Sequence, residues 1–263
     1  ILGCHYAVML SLDKKQFLLS ASNGANYIPL AKSWPADLET PLTTWLKVGN
    51  DSPSGVLLES VEGGETIGRW SVVASDPLWK VTARGDELTR CWRNGKKEKF
   101  HGSPISVLRE MLEPYKSVSL SDLPQLGQLF GMWGYELIQW IEPSVPIHDL
   151  SEQDLPDGIW MFMDKILIFD QVKRLITAVA YGNVSDEVSP EKAYETACGQ
   201  INELQNLMAA PLKPIKSLKW SEKGNKSIDM NANTTKKEFE QSVKSAKKFI
   251  KKGDVFQLVL SQK

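Results

Sequence analysis

The sequence has few residues of the kinds that define redox, metal or nucleotide sites. Its three cysteines are far apart and belong to no CxxC or Cys/His ligand spacing, which predicts a reduced, cytoplasmic protein without structural zinc. The three histidines are isolated from one another and form no HExxH motif. Neither GxGxxG nor GxxxxGKS/T occurs, so a phosphate-binding loop for nucleotides is disfavoured.

The chain also lacks an excess of either charge and lacks long apolar runs. Among its 263 residues, 31 Lys and Arg nearly balance 32 Asp and Glu, so neither nucleic acid nor an anionic membrane is predicted as a partner. The lysine-rich stretch Lys236–Lys252 is predicted to be the solvent-exposed face of a helix. No run approaches the roughly eighteen apolar residues that are needed to span a bilayer.

Short apolar runs between residues 27 and 181 predict a fold rich in β-strands. Residues Asp170–Arg174 are predicted to form the turn of a hairpin between the last two strands. Because the strands do not alternate regularly with helices, the sequence predicts an α+β fold rather than a doubly wound parallel sheet. The predicted strands are Val56–Ser60, Arg69–Val73, Trp79–Arg84, Leu88–Arg93, Ile159–Phe169 and Leu175–Tyr181.

Helices are predicted at Ser106–Leu112, Glu136–Ile141 and Pro190–Met208, and the last has the most regular apolar face. The glycine-interleaved stretch before Glu136 is predicted to pack in the core at a strand-to-helix turn. Residues 209–233 have the polar, Pro- and Gly-containing composition of a linker.

The element after this linker has the clearest local signals in the chain. Thr235 and Glu238 form a capping box, and Gly253 stands where a helix C-terminus favours glycine. The sequence therefore predicts a helix between these signals. A strand entering a core is predicted immediately afterwards, at Val255–Gln262.

Three polar side chains interrupt otherwise apolar elements. Glu59 and Ser60 end the strand that begins at Val56, and Gln257 lies within the strand predicted after Gly253. A buried polar group without a partner costs about 1–3 kcal/mol, so each should meet a protein or ligand partner. Residues 56–71 are therefore either a β-hairpin with a polar tip or part of a pocket for a small molecule that carries an amine and a carboxylate.

Several motifs resemble the large subunit of anthranilate synthase, component I. They are LLESVEGGETIGRWS at residues 57–71, FGMWGYE at 130–136, WIEP at 140–143, DG at 157–158, IFD at 168–170 and GDVFQLVLSQ at 253–262. The similarity runs in order from about Asn26 to Gln262 and is greatest to cyanobacterial forms. It implies a mixed or antiparallel β-sheet sandwich with helices.

The resemblance also implies a function. In that family chorismate and ammonia give anthranilate and pyruvate, Mg²⁺ holds the substrate, a glutamine amidotransferase subunit supplies the ammonia, and L-tryptophan inhibits. The LLES segment contributes to the inhibitor pocket, which implies that Glu59 and Ser60 meet the amino-acid end of tryptophan. Arg69 is a candidate for the basic residue of that pocket, and Gln257 is a candidate residue of the chorismate pocket.

Members of the family are about twice as long as this chain. The resemblance therefore implies an amino-terminal extension at residues 1–25, a regulatory domain at 26–208, a linker at 209–233 and the incomplete start of the chorismate-binding domain at 234–263. The family's magnesium ligands, its catalytic residues and the rest of its tryptophan pocket lie beyond Lys263, which stands where the family usually has Arg. No catalytic residue is predicted within the chain, and the chain alone is expected to be inactive.

Two alternative functions remain open at this point. Aminodeoxychorismate synthase component I has a similar amino-terminal region, although the VEGGE and WIEP segments favour anthranilate synthase. Isochorismate and salicylate synthases are disfavoured because they place a Lys that activates water at the position of Gln257, and an amide cannot act as a general base. The other alternative is a small-molecule-binding module without catalysis.

Overall fold

The computed structural model describes residues 11–49, 52–59, 68–120, 123–124, 128–145, 155–212 and 232–262. The chain divides into two compact units, Ile1–Pro214 and Ile215–Lys263. The strands of the first unit are β1 (Tyr27–Pro35), β2 (Gly55–Leu58), β3 (Trp70–Ser75), β4 (Trp79–Arg84), β5 (Glu87–Trp92), β6 (Lys97–His101), β7 (Leu129–Trp133), β8 (Gly158–Phe162), β9 (Lys165–Asp170) and β10 (Leu175–Asn183). Its helices are α1 (Lys14–Ser22), α2 (Pro41–Val48), α3 (Pro104–Leu112), α4 (Ile138–Ile141) and α5 (Pro190–Ala209), and the second unit contains α6 (Lys236–Lys252).

The ten strands form two five-stranded sheets in which every pairing is antiparallel. The first sheet has the order β1-β10-β9-β3-β2, and the second has the order β6-β5-β4-β8-β7. The predicted α+β class with an antiparallel sandwich and helices is therefore confirmed. Strands β2 and β7 each lie at an edge of their sheet.

The first sheet is buried on both faces, which makes it the middle of three layers. Along β1, Tyr27 belongs to the core shared with the second sheet, whereas Ile28 belongs to the core shared with the helices. Phe17 of α1 and Ala197 of α5 complete that second core. Burial on both faces explains why β9 is apolar almost throughout instead of alternating.

The run Ile159–Phe169 is two strands and not the single strand predicted from its apolar composition. Strand β8 belongs to the second sheet and β9 to the first, so the chain changes sheets at Met163 and Asp164. Asp164 is buried, and its carboxylate accepts hydrogen bonds from the Arg93 guanidinium at 2.9 and 2.6 Å and from Gln200 Nε2 at 2.9 Å. Composition does not reveal this crossing because both strands are apolar.

Other local predictions agree with the structure to within a few residues. Strands β9 and β10 form the predicted hairpin with Asp170 opposite Leu175, and Arg174 in its turn has φ 51°. Helices α3 and α5 are both found. The predicted helix at Glu136–Ile141 is a 3₁₀ turn, Tyr135–Leu137, followed by the short α4.

Several elements were not predicted as separate strands or helices. They are α1, which has a capping box between Asp13 and Gln16, α2, which begins with Pro41 after the capping residue Thr40, and strands β1, β6 and β7. Both helices pack on the first sheet, where Phe17 and Thr44 are fully buried.

The second unit confirms one prediction and contradicts another. Helix α6 has the capping box at Thr235 and ends at Gly253, which has a left-handed φ of 81°. The predicted strand at Val255–Gln262 is wrong, because these described residues pair with no strand and Phe256 is 96% exposed. A strand forms only where another strand satisfies its backbone groups, and local sequence does not supply that partner. Within the described residues, no helix combines the length and apolar character that crossing a membrane requires.

Candidate functional site

The candidate segment Leu57–Ser60 begins on the edge strand β2. Among the described residues this strand pairs with β3 alone, with Leu58 opposite Val72, and Glu59 follows it with an exposed side chain. Ser60 lies outside the described residues. The predicted strand thus ends two residues earlier than expected, and the structure leaves the Glu59 carboxylate accessible to a ligand.

A cavity of about 680 Å³ lies between β2 and the second sheet. Its size is within the range of about 300–1,000 Å³ that is usual for small-molecule sites. The lining is mainly apolar and comes from β2 and the two residues before it on one side and from β4, β7 and β8 on the other. The described lining residues are Pro53, Ser54, Gly55, Val56, Leu57, Leu58, Lys80, Leu129, Phe130, Gly131, Met132, Ile159 and Met161.

Lys80 alone carries a charge among these described lining residues. It lies on β4 opposite Met161 of β8, and its Nζ is 3.5 Å from Ser54 Oγ. No motif in the sequence marks Lys80 as a site residue. Burial alternates along β4: Trp79 and Val81 are fully buried, whereas Lys80 between them is only partly buried. That alternation was visible in the sequence, but the cavity beside Lys80 was not.

Arg69, the candidate basic residue, is engaged with another side chain in this structure. Its Nε and Nη2 donate to the two carboxylate oxygens of Asp170 at 3.1 and 2.6 Å, and its guanidinium carbon lies 4.4 Å from the centre of the Trp70 ring. Arg69 is not among the described residues that line the cavity. Its bidentate pair joins the start of β3 to the β9–β10 turn. A role in tryptophan binding therefore remains a prediction.

Asp170 has additional hydrogen-bond donors within its own turn. The N–H groups of Val172 and Lys173 each donate to Oδ1 at 3.0 Å, and the Gln171 N–H donates to the Arg69 carbonyl at 2.9 Å. Burial by itself raises the pKa of the Asp170 carboxyl, but the hydrogen bonds from Arg69 and from the turn outweigh it. The net result is a pKa below the ordinary value.

The lowered pKa of Asp170 predicts a dependence of stability on pH. A carboxyl whose pKa is lower in the folded state contributes stability above its unfolded pKa, about 4, and loses it as the pH falls through the folded pKa. We expect the free energy of unfolding to decrease as the pH falls below about 4, and to decrease less in Asp170→Asn. Urea unfolding between pH 7 and pH 2.5 measures this. Asp37→Asn, at an exposed carboxylate, is the control, and an equal acid loss in Asp170→Asn and wild type would contradict the assignment.

The other predicted residue, Gln257, lies in the second unit with an exposed side chain. The described residues contain no group of three or more His, Cys, Asp or Glu side chains that could hold a metal ion.

Comparison with known proteins defines the class to which this fold and cavity belong. The family model of chorismate binding enzymes matches residues 55–263, and the chain belongs to that family. It is 45% identical over 97% of its length to anthranilate synthase component 1 of Synechocystis sp., of which it covers 51%. It is 30% identical over 90% of its length to the protein of the same name from Acetivibrio thermocellus, of which it covers 48%. The resemblance to anthranilate synthase component I is therefore confirmed.

A solved structure supports the fold independently. The crystal structure of anthranilate synthase component I from Streptococcus pneumoniae TIGR4 superimposes with a TM-score of 0.53 at 24% identity, over 87% of this chain and 47% of that one. This likeness supports the arrangement of sheets and helices. The chain spans about half the length of the curated relatives reported above.

Proposed function

We propose that this chain is the tryptophan-sensing part of an anthranilate synthase large subunit. The observation that carries the proposal is the position of Glu59, exposed directly after a strand that lines an apolar cavity of about 680 Å³. A carboxylate beside an apolar cavity suits a ligand that joins an ammonium group to an aromatic ring, because the ring is desolvated while the ammonium gains a charge-assisted hydrogen bond.

The proposed reaction of the longer protein is the conversion of chorismate and ammonia to anthranilate and pyruvate, a carbon–oxygen lyase reaction in tryptophan biosynthesis. The relatives reported above share the name anthranilate synthase component 1, which supports this reaction over the aminodeoxychorismate alternative. The proposal includes Mg²⁺ as cofactor, a glutamine amidotransferase subunit as partner and a cytoplasmic location. It assigns the chemical step to residues outside this chain and feedback inhibition by L-tryptophan to the chain.

Within the proposed site, Glu59 binds the ammonium of tryptophan and Ser60 hydrogen-bonds its polar end. The two contacts differ in strength, because a bond between charged groups contributes more than a neutral hydroxyl bond. Arg69 remains a candidate for the carboxylate, but binding there requires its guanidinium to leave Asp170 or to add a third contact.

Inhibition of the longer protein by L-tryptophan, measured with ammonia as the nitrogen source, tests this proposal. We expect Ser60→Ala to weaken binding about two- to twelve-fold, as for one neutral hydrogen bond. We expect Glu59→Gln to weaken it more than tenfold, because a charge-assisted contact is lost. Glu87→Gln, which changes a partly exposed carboxylate on β5 that pairs with Lys99, is the matched control and should bind like wild type. Absence of tryptophan inhibition in the longer wild-type protein, or equal effects of Glu59→Gln and Glu87→Gln, would overturn the proposal.

A further inference from the structure

Two residues that line the cavity, Lys80 and Ser54, form a polar contact with each other. The Lys80 Nζ lies 3.5 Å from Ser54 Oγ. The Ser54 carbonyl accepts hydrogen bonds from Ser52 Oγ at 2.7 Å and from the Asp76 N–H at 3.2 Å, so a bonded turn fixes the backbone that carries the hydroxyl. A lysine and a hydroxyl fixed side by side form an arrangement that can bind an anionic oxygen.

The nearest carboxylate in sequence to Lys80 does not neutralise it. Asp76 pairs instead with the Arg93 guanidinium, with Nε to Oδ2 at 3.0 Å. Among the described residues, Lys80 forms no ion pair, and the described lining of the cavity is otherwise apolar or hydroxyl-bearing. A cation on an apolar wall is stabilised by an anion that shares the cavity, because the low local dielectric strengthens their attraction.

Lys80 and Glu59 are too far apart to hold one amino-acid head group. Ser54 and Glu59 are five positions apart and flank the four residues of β2, so their Cα atoms are about 16 Å apart at the usual rise of a strand. The ammonium and carboxylate of an α-amino acid are attached to the same carbon. The Lys80–Ser54 contact is therefore separate from the contact assigned to Glu59 in the proposed function.

We propose that Lys80 and Ser54 bind the carboxylate of an aromatic carboxylic acid whose ring occupies the apolar part of the cavity. Phe130, Ile159 and Met161 supply flat or flexible apolar surface for the ring, and Lys80 supplies the charge that distinguishes an acid from its neutral or cationic analogue. This site goes beyond the proposed function, since an amino group on the ligand is not required.

Ligands that carry only one of the two charged groups test this site. Indole-3-acetate has the ring and the carboxylate, tryptamine has the ring and the ammonium, and each is titrated calorimetrically into the purified chain. We expect Lys80→Met to weaken the binding of indole-3-acetate by at least about tenfold, as for loss of a charge-assisted hydrogen bond. The affinity for tryptamine should stay within about twofold of the wild-type value. Lys80→Arg should retain most of the affinity for indole-3-acetate. Lys97→Met, at an exposed lysine on β6 of the same sheet, should not change it.

The outcomes separate this site from the proposed tryptophan site. Failure of indole-3-acetate to bind wild type, or an equal loss for Lys97→Met, would overturn the Lys80 site whether or not L-tryptophan binds. If Lys80→Met weakened the binding of indole-3-acetate and of tryptamine equally, Lys80 would contribute packing and not charge. That result would also overturn the Lys80 site. An affinity for indole-3-acetate that falls in Lys80→Met but not in Glu59→Gln would support the site. Melting temperatures of all variants exclude unfolding as the cause of any loss.

Discussion

Replacing Trp79 with alanine is expected to lower the free energy of unfolding by about 3–5 kcal/mol, the usual range for removing a buried Trp or Phe side chain. Trp79 is fully buried between the two sheets, and its ring stacks on Phe162 with the ring centres 4.8 Å apart. Its Nε1 donates to the Tyr115 hydroxyl at 3.0 Å. Alanine would remove the stacking and leave a large cavity and an unpaired hydroxyl. Urea unfolding at pH 7 measures the change.

The variant Trp79→Phe separates the contributions of ring and hydrogen bond. It retains an aromatic ring against Phe162 but loses the donor to Tyr115, so it should be more stable than Trp79→Ala and less stable than wild type. A loss below about 1 kcal/mol for Trp79→Ala would mean that the two sheets do not share the core described here.

Asp164→Ala is expected to lower the free energy of unfolding by a similar amount, about 3–5 kcal/mol, because it breaks a largely buried ion pair on one side. The Arg93 guanidinium would lose both of its hydrogen bonds to Asp164 and retain the pair with Asp76, and Gln200 Nε2 would lose its acceptor. The site lies where the chain passes from β8 to β9. Both sheets should therefore lose stability together and unfold in a single cooperative transition. Circular dichroism and tryptophan fluorescence monitor this transition.

Two further variants make this measurement specific to the ion pair. Asp186→Ala, at an exposed position between β10 and α5, should change stability by less than about 0.5 kcal/mol. Asp164→Ala combined with Arg93→Met should recover part of the loss, because the uncompensated cation is removed as well. A double variant as unstable as the sum of the two single changes would contradict a direct interaction.

Features that depend on neighbouring residues were predictable from the sequence. Capping residue Thr235 and the terminal Gly253 defined helix α6 because a cap satisfies backbone groups one turn away. The Asp170–Arg174 turn defined its hairpin in the same way, since the strands that it joins are adjacent in both sequence and space. The family resemblance also followed from the sequence, because motifs such as LLES and GDVFQLVLSQ are short and contiguous.

Part of the candidate site was also visible in the sequence, but its contacts were not. Glu59 was singled out because it ends an apolar run, and in the structure it is exposed directly after Leu58, which lines the cavity. The pairing of Arg69 with Asp170 joins residues that are 101 positions apart, so no local pattern indicates it. Lys80 was not predicted for the same reason, because the cavity beside it is lined by β2, β7 and β8, which are separate from β4 in the sequence.

The sequence by itself determined the α+β class, the helices α3, α5 and α6, the β9–β10 hairpin and the family, because each depends on local backbone preferences or contiguous motifs. The tertiary structure decided which strands pair, where the chain changes sheets at Asp164, and which side chains line the cavity. It also decided that Val255–Gln262 forms no strand among the described residues. The physical reason is that strand pairing and cavity formation require backbone and side-chain partners from distant parts of the chain, and their placement is set by the packing of the whole fold.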